Sequence, residues 1–373
     1  MSPSLPRHGW PEGRSPESPA TAGAGDDPAA WLDEIPARPI IDAALEARFA
    51  LAPGDRPLVE PDDRVVPGQL LFEHLRDRRI EEITIPISTE EPDADDPAHP
   101  RPLTGRRWSS PSRSRRRRHG SGTEGELLAP VQGRPDRWRL VTGDHRDTVE
   151  SPVAGVVTSV VPGCEILIRP DGFALHGALA AGAPAAGRLE LATDPYGELG
   201  TGHIDVGRAG SILVVGDRVD AEALTRARAM GVRGVIVASL SGKDLRDFQA
   251  SERRQRASLH AAPPFGVVAL DGTVRRPIAG PIAALLKRLA GRDVGLLTDP
   301  PALVFDADET VLPVVDPAWV RIRSGPMAGT EGRATGPAVP YWFPTGVHLE
   351  AVPVVIGGGT TLMVAVGDLE RLA

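Results

Sequence analysis

Polar residues follow three apolar runs in the second half of the sequence, where each run is expected to end as a strand. The runs are "SILVV", "VIVASL" and "FGVVAL". In open parallel sheets, ligands bind beyond the carboxyl ends of strands, where helix N-termini direct free N–H groups. The candidate ligand-binding residues at these ends are Gly216, Asp217, Ser239, Ser241, Gly242, Lys243 and Asp271. Turn and capping roles, with Ser241 as an N-cap and Asp217 as a turn former, explain the same residues without a ligand.

The motifs of known catalytic and phosphate-binding sites are incomplete in this sequence. The stretch "SLSGKD" could cradle a phosphate with Lys243 as a point charge, but it lacks the first glycine and the Ser/Thr of a Walker A loop. The stretch "VVGDRVD" lacks the glycine spacing of a dinucleotide-binding turn. Neither an H-E-x-x-H pair nor a G-x-S-x-G turn is present. We therefore predict no catalytic residue, no metal site and no cofactor.

The region from 206 to 300 alternates strand-like and helix-like patterns. Its strands are the three runs above and "DVGLL". Asp220 is placed to cap the first helix and Gly231 to end it, and the later helices are "SGKDLRDFQASERRQRASL" and "PIAGPIAALLKRLAG". Continuous apolar strands separated by amphipathic helices predict an α/β domain, a parallel sheet with helices on both faces.

Length and composition predict a soluble protein with several domains. The chain has 373 residues, 41% of them apolar, and no apolar run of a length that spans a membrane. Its N-terminus lacks the apolar core of a secretory signal, so we expect a cytoplasmic protein without a membrane partner. The single cysteine, Cys164, excludes an internal disulfide and is expected to be a buried structural thiol.

The charge pattern gives little support to general binding of nucleic acid. The net charge is −8, and 42 residues are basic, of which only Lys243 and Lys287 are lysine. This preference for arginine, together with abundant Gly, Pro and Ala, indicates a GC-rich bacterial genome. The run Arg115 to Arg118, with Trp108 as a stacking group, is either an arm for phosphates or a solvated loop that pairs with the acidic block before it.

These patterns divide the chain into a series of segments. We predict a disordered tail at 1–36 and then a β domain at 37–88 and 124–205, which is split by a disordered charged insertion at 89–123. The α/β domain at 206–300 follows, then a linker at 301–316 and a second β domain at 317–373.

Two glycine-containing turns in the split β domain carry a resemblance. They lie in "PGDRPLVEPDDRVVPGQLLFE" and "VESPVAGVVTSVVPG", where the matching residues are Asp63, Val65, Gly68, Gln69, Ser151, Pro152, Gly155 and Val157. Residues 50–195 thereby resemble the barrel-sandwich hybrid of biotinyl and lipoyl domains, most of all the non-lipoylated form in the C subunit of the Rnf electron-transport complex. Such carrier domains present a modifiable lysine at a hairpin. No lysine precedes Lys243, so covalent biotin or lipoate is excluded.

The stretch "WVRIRSGPMAGTEGRATG" carries the most specific resemblance in the sequence. With Val320, Ile322, Gly325, Gly329 and Gly332 it resembles the KOW motif of the transcription elongation factor NusG and of several ribosomal proteins, so 317–373 is expected to form a small β-barrel. The resemblance implies Arg321, Arg323 and Arg333 as phosphate contacts and Tyr341 or Trp342 as stacking platforms. Alternatively, Arg321 and Arg323 are the solvent face of a strand. Residues 211–240 resemble DRTGG-type regulatory domains more weakly.

Together the sequence favours a non-catalytic multidomain adaptor that docks on protein or ribonucleoprotein through its KOW-like barrel. The alternative is a small-ligand or nucleotide-sensing regulatory protein, or an enzyme, with its site at the strand ends of the α/β domain. Direct RNA binding is a third hypothesis. It requires Arg321, Arg323 and Arg333 to share a surface with Tyr341 or Trp342.

Overall fold

The computed structural model describes residues 31–84, 107–109, 124–132, 134–258, 263–306, 312 and 315–372. This part of the chain is rich in strands, with 28 strands and three α-helices. Residues 1–30 of the predicted tail and most of the predicted insertion, including Arg115 to Arg118, lie outside the described residues.

The largest unit is a ten-stranded sheet. Its strands are β2 (Ile41–Asp42), β14 (Phe173–His176), β15 (Leu179–Gly182), β16 (Ala185–Leu191), β17 (Glu198–Leu199), β18 (Ser211–Val219), β19 (Gly234–Ser239), β20 (Gly266–Ala269), β21 (Asp293–Thr298) and β22 (Pro301–Phe305). The order is β15-β20-β19-β18-β16-β21-β22-β14-β2, with β17 beside β18.

This sheet is mixed, so the prediction of an all-parallel sheet was wrong. Strands β16, β18, β19 and β20 are parallel neighbours at its centre. Strand β21, the predicted fourth parallel strand, instead runs antiparallel to β16. The sheet also extends beyond the predicted range 206–300: β14 to β16 come from the predicted split β domain, and β22 from the predicted linker. Strand β22 is no linker, because Ala302, Leu303 and Phe305 are buried in the core.

Three helices cover the two faces of the mixed sheet. They are α1 (Ala221–Ala229), α2 (Gly242–Ser258) and α3 (Gly280–Leu289). Helices α1 and α2 pack on one face through Leu224 and Phe248, and α3 packs on the other through Ile282 and Leu286. Asp220 caps α1 by accepting a hydrogen bond of 2.7 Å from the N–H of Ala223, as its residue type predicted.

Two small sheets pack around a core that they share with strands β14, β21 and β22 of the mixed sheet. One contains β3 (Ala47–Ala50), β5 (Arg64–Val65), β12 (Gly155–Val161) and β13 (Glu165–Pro170), and the other contains β4 (Arg56–Pro57), β6 (Leu70–Leu75) and β11 (Arg146–Glu150). The two turns quoted above lie against each other, since Gly68 N–H donates to the carbonyl of Ser151 and Val157 N–H donates to that of Asp63. Cys164 lies in the β12–β13 turn and is exposed, so its prediction as a buried thiol was wrong.

A fourth sheet lies between the two halves of this unit in the sequence. It contains β7 (Arg79–Thr84), β8 (Arg107–Ser109), β9 (Glu124–Val131) and β10 (Arg134–Thr142), in the order β7-β10-β9-β8. The predicted disordered insertion therefore includes one strand, and Trp108 belongs to it.

The C-terminal sheet contains both ends of the described chain. Its strands are β1 (Ala37–Arg38), β23 (Trp319–Ile322), β24 (Glu331–Ala334), β25 (Val339–Trp342), β26 (His348–Ile356), β27 (Thr361–Ala365) and β28 (Leu369–Leu372). The order is β1-β28-β23-β24-β26-β25, and β27 pairs with β26. Leu32 and Ile35 are buried in the core of this sheet with Val320 and Val352. The predicted tail therefore ends too late, because residues 31–36 belong to this core.

Candidate functional site

A segment of the chain itself covers Gly216 and Asp217, which lie within β18 rather than after its end as predicted, because the strand continues to Val219. Gly216 N–H donates to the Thr193 hydroxyl at 2.8 Å, and Asp217 N–H donates to the carbonyl of Gly197 at 2.8 Å. A Cβ atom on Gly216 would lie 2.1 Å from the carbonyl oxygen of Asp194. Segment 193–197 therefore occupies the place where a ligand would approach Gly216.

Asp217 is buried under the same segment and pairs with an arginine. Its Oδ2 accepts a hydrogen bond of 2.6 Å from Arg275 Nε, and Arg275 also binds Glu198. The hydrogen bond and charge of Asp217, and then the charge of Glu198, raise the pKa of Arg275. The Ser239 hydroxyl donates to the Asp217 carbonyl at 3.0 Å. Asp217 and Ser239 are thus brought together, as predicted, in an arrangement that holds β18, β19 and the loop after β20 in place.

The residues at the start of α2 act as a cap. The Ser241 hydroxyl oxygen accepts a hydrogen bond of 3.1 Å from Asp244 N–H, which is the geometry of an N-cap. Gly242 begins the helix. The Lys243 side chain is 80% exposed and pairs with Asp247 one turn later at 3.7 Å. Lys243 therefore extends along the helix surface.

Asp271 follows β20 and is the centre of a buried cluster of charges. Its two carboxylate oxygens accept hydrogen bonds from Arg321, at 2.9 Å from Nη1 and 2.6 Å from Nη2. Arg38 Nη1 donates to the same carboxylate at 2.5 Å. Glu370 accepts from Arg321 Nε at 2.7 Å, and Arg276 Nη1 lies 3.6 Å from Glu370. We call these five residues the charge cluster. They join the mixed sheet to the C-terminal sheet.

The cluster shifts the pKa values of its members. Burial alone would raise the pKa of Asp271, but the hydrogen bonds and charge of Arg321, and then those of Arg38, hold it below its usual range. Burial lowers the pKa of Arg276, and the positive charges of Arg321 and Arg38 add to this effect. Three guanidinium groups share two carboxylates: Arg276 and Arg321 are buried with both carboxylates, and Arg38 is partly exposed.

The prediction that Arg321 contacts phosphate was wrong. Its side chain is fully buried, because the face of β23 that carries it packs on Asp271 rather than facing solvent. The alternative prediction, a solvent-facing Arg321, was wrong for the same reason. Arg323 is half exposed and lies 3.9 Å from Glu370, and Arg333 is exposed and pairs with Asp316 at 3.3 Å.

The two predicted stacking residues lie on opposite faces of the C-terminal sheet. Cross-strand pairing places Tyr341 opposite Leu349 and Trp342 opposite His348. Continued through β26 and β24, this register puts Tyr341 on the face of Arg333, and Trp342 on the face of the core residues Val352 and Val354. The surface required for direct RNA binding, with all three arginines beside an aromatic platform, is therefore not formed.

The hairpin of β25 and β26 extends beyond the core of the C-terminal sheet and exposes apolar residues on both faces. Trp342 is 69% exposed, and its ring stacks on His348 with 4.8 Å between ring centroids. On the opposite face, Val339 is 41% and Leu349 48% exposed. Val347, in the loop between the strands, is 47% exposed. We call residues 339–349 the apolar hairpin.

The turn of the apolar hairpin is well ordered by hydrogen bonds. Phe343 N–H donates to the carbonyl of Val347 at 2.8 Å, and Gly346 N–H donates to the carbonyl of Phe343 at 2.9 Å. Gly346 has a φ of 80°, which favours glycine. The rings of Tyr341 and Phe343 meet edge to face at 5.0 Å. The exposed side chains are therefore presented on a defined backbone.

A groove of about 490 Å³ lies beside the apolar hairpin. It is lined by Leu349 and Glu350 of β26 and, opposite them, by Ala365, Val366, Gly367 and Asp368. Tyr341 and Trp342 were predicted from the sequence, whereas Val339, Val347, Leu349 and the groove were not. The apolar residues on either side of the turn in "VPYWFPTGVHLE" were the available signal for the hairpin. The groove has no comparable signal, because it joins residues of β26 to the end of β27 and the turn that follows it.

No protein-family model matches this chain, and no curated protein matches it significantly. In the described part of the chain, no helix is long and apolar enough to cross a membrane. The same residues contain no group of three or more His, Cys, Asp or Glu side chains placed to hold a metal ion.

Proposed function

We propose that the protein is a non-catalytic adaptor that docks on a partner protein through the apolar hairpin. The observation that carries this proposal is the exposure of Trp342, Val347 and Leu349 on a hairpin whose turn is fixed by hydrogen bonds. Apolar side chains exposed together on one element are typical of interaction sites, and tryptophan is prominent among the residues that dominate binding energy.

The remaining parts of the molecule act as the scaffold of the adaptor in this proposal. The KOW-like pattern of 317–373 supports a small β unit that docks through its loops, and the turns at Gly68 and Gly155 support a barrel-sandwich hybrid that carries no cofactor. We also propose that the protein acts in the cytoplasm.

The geometry favours the adaptor over a ligand-sensing site at the strand ends of the mixed sheet. Segment 193–197 covers Gly216, and Arg38 and Arg321 occupy the carboxylate of Asp271. It also favours a protein partner over RNA, because Arg321 is buried and Arg333 is paired with Asp316.

The proposal is tested by capture of the tagged full-length protein from extract of its native cell, with and without nuclease, followed by mass spectrometry. A defined set of proteins is expected to bind regardless of nuclease. Trp342→Ala is expected to weaken this binding by about 30-fold, since truncation of a central tryptophan at an interface costs about 2 kcal/mol or more. Tyr196→Ala, which removes a ring that is 76% exposed elsewhere on the surface, serves as the matched control.

Two outcomes would contradict the docking proposal. If Trp342→Ala recovers the same proteins as the native chain does, the apolar hairpin is not the docking element. If recovery of every partner requires intact nucleic acid, the protein binds ribonucleoprotein through RNA.

A further inference from the structure

The groove beside the apolar hairpin combines apolar walls with two carboxylates. Its walls include Leu349, Ala365 and Val366, and its acidic groups are Glu350 and Asp368. Asp368 accepts a hydrogen bond from the Ser324 hydroxyl. The groove is therefore acidic and apolar at once.

These two carboxylates lack a cation among the described residues. The basic side chains of the neighbouring strands are engaged elsewhere: Arg323 lies beside Glu370, and Arg333 pairs with Asp316. In the described part of the chain, no Arg, Lys or His side chain forms an ion pair with Glu350 or Asp368. Their charge is available to a group from outside the chain.

The backbone beside the groove also has room for a strand. Strand β27 pairs with β26 only as far as Ala365 opposite Ala351, and the chain then leaves as a 3₁₀ turn at Val366–Asp368. Residues His348–Glu350 pair with β25 on one side, but no strand of the described chain pairs with them on the other. The groove is the gap that this departure leaves.

An arginine in the groove would meet a carboxylate on a defined face of the hairpin. Cross-strand register places Glu350 on the same face of the hairpin as Trp342 and His348. A guanidinium group binds a carboxylate through paired hydrogen bonds, so Glu350 is a site for one basic side chain.

We propose that the groove binds an extended basic segment of the partner protein, in which arginine or lysine alternates with apolar residues. The segment adds as a strand beside His348–Glu350, its apolar side chains contact Leu349 and Val366, and a basic side chain lies between Glu350 and Asp368. This inference rests on the proposed docking function and specifies the chemistry of the partner.

The test measures fluorescence anisotropy of a labelled, capped hexapeptide Val-Arg-Val-Arg-Val-Arg titrated with the full-length protein. The same peptide with glutamate in place of arginine is the charge control. We expect the arginine peptide to bind, its affinity to fall with added salt, and the glutamate peptide not to bind. Glu350→Gln is expected to weaken binding about 10-fold or more, which is the usual loss for one charge-assisted hydrogen-bonded pair. Glu222→Gln, which neutralises an exposed carboxylate on α1, is expected to bind as the native protein does.

The inference is overturned if the arginine peptide does not bind, if both peptides bind equally, or if Glu350→Gln has no effect. If the peptide does not bind, but the native protein dimerises and Glu350→Gln abolishes this dimerisation, the groove binds a second copy of the chain instead. If the peptide test fails while Trp342→Ala still abolishes capture of partners, the docking function stands and only the chemistry of the segment is wrong. If Trp342→Ala leaves capture unchanged, both proposals fail.

Discussion

Replacement of Arg321 by methionine should loosen the C-terminal sheet from the mixed sheet. Methionine keeps much of the length of the side chain but removes the three hydrogen bonds that Arg321 donates, two to Asp271 and one to Glu370. Arg321, Asp271 and Glu370 are all buried, so water does not replace the lost hydrogen bonds. The substitution therefore probes the charge cluster with little change in packing.

The charges that remain set the magnitude of the effect. Removal of one partner from a buried ion pair costs about 3–5 kcal/mol. Arg321→Met leaves two guanidinium groups, those of Arg38 and Arg276, for two carboxylates, so we expect a loss near 3 kcal/mol. Asp271→Asn leaves three guanidinium groups around the single charge of Glu370, and we expect a loss near 5 kcal/mol by the same rule.

The free energy of local opening can be measured by hydrogen exchange with mass spectrometry, on peptides that cover β23 and β28. Arg64→Met is the control, because Arg64 is 71% exposed and pairs with Asp171 at 2.8 Å on the surface. Removal of such a pair costs less than about 1 kcal/mol. If Arg321→Met lowers the free energy of opening of β23 no more than Arg64→Met lowers that of β5, the charge cluster does not hold the two sheets together.

Two further predictions concern the same edge of the mixed sheet. The pKa of Asp271 lies below its ordinary value in the folded chain. The contribution of this carboxylate to stability is therefore complete above about pH 4 and is lost as the pH falls through the lower pKa of the folded state. Acid titration should lower the free energy of opening of β23 in the native chain, and should lower it much less in Asp271→Asn. Gly216→Ala should lower the free energy of unfolding, measured in urea, by about 1–3 kcal/mol, because its Cβ would lie 2.1 Å from the Asp194 carbonyl oxygen. Gly202→Ala, whose Cβ would have nothing within 4 Å, should lower it far less. Equal losses in the two variants would contradict this prediction.

Local sequence signals identified much of the mixed sheet and its caps. The apolar runs became β18, β19 and β20, and Asp220 and Ser241 cap the helices that follow, since both effects depend on a few neighbouring residues. The direction of β21 could not be read in this way. An antiparallel strand with both faces buried has the same apolar pattern as a parallel one.

The candidate site was predicted only in part. Tyr341 and Trp342 were named from the sequence, but the burial of Arg321 depends on Asp271 and Glu370, which lie about 50 residues away in the chain. Alternation along β23 indicates which residues share a face but not which face is covered. The same limit applies to Leu32 and Ile35, whose partners in the core come from the other end of the chain.

The parallel pairing of β1 with β28 has a consequence for how the protein is made. Ala37 and Arg38 pair with Arg371 and Leu372, so during synthesis the first strand has no partner until residues 371 and 372 have left the ribosome. The C-terminal sheet is therefore completed later in synthesis than the central strands of the mixed sheet, which precede β28 in the sequence. A fragment that begins at residue 317 would lack Leu32 and Ile35 and expose the apolar surface that they cover.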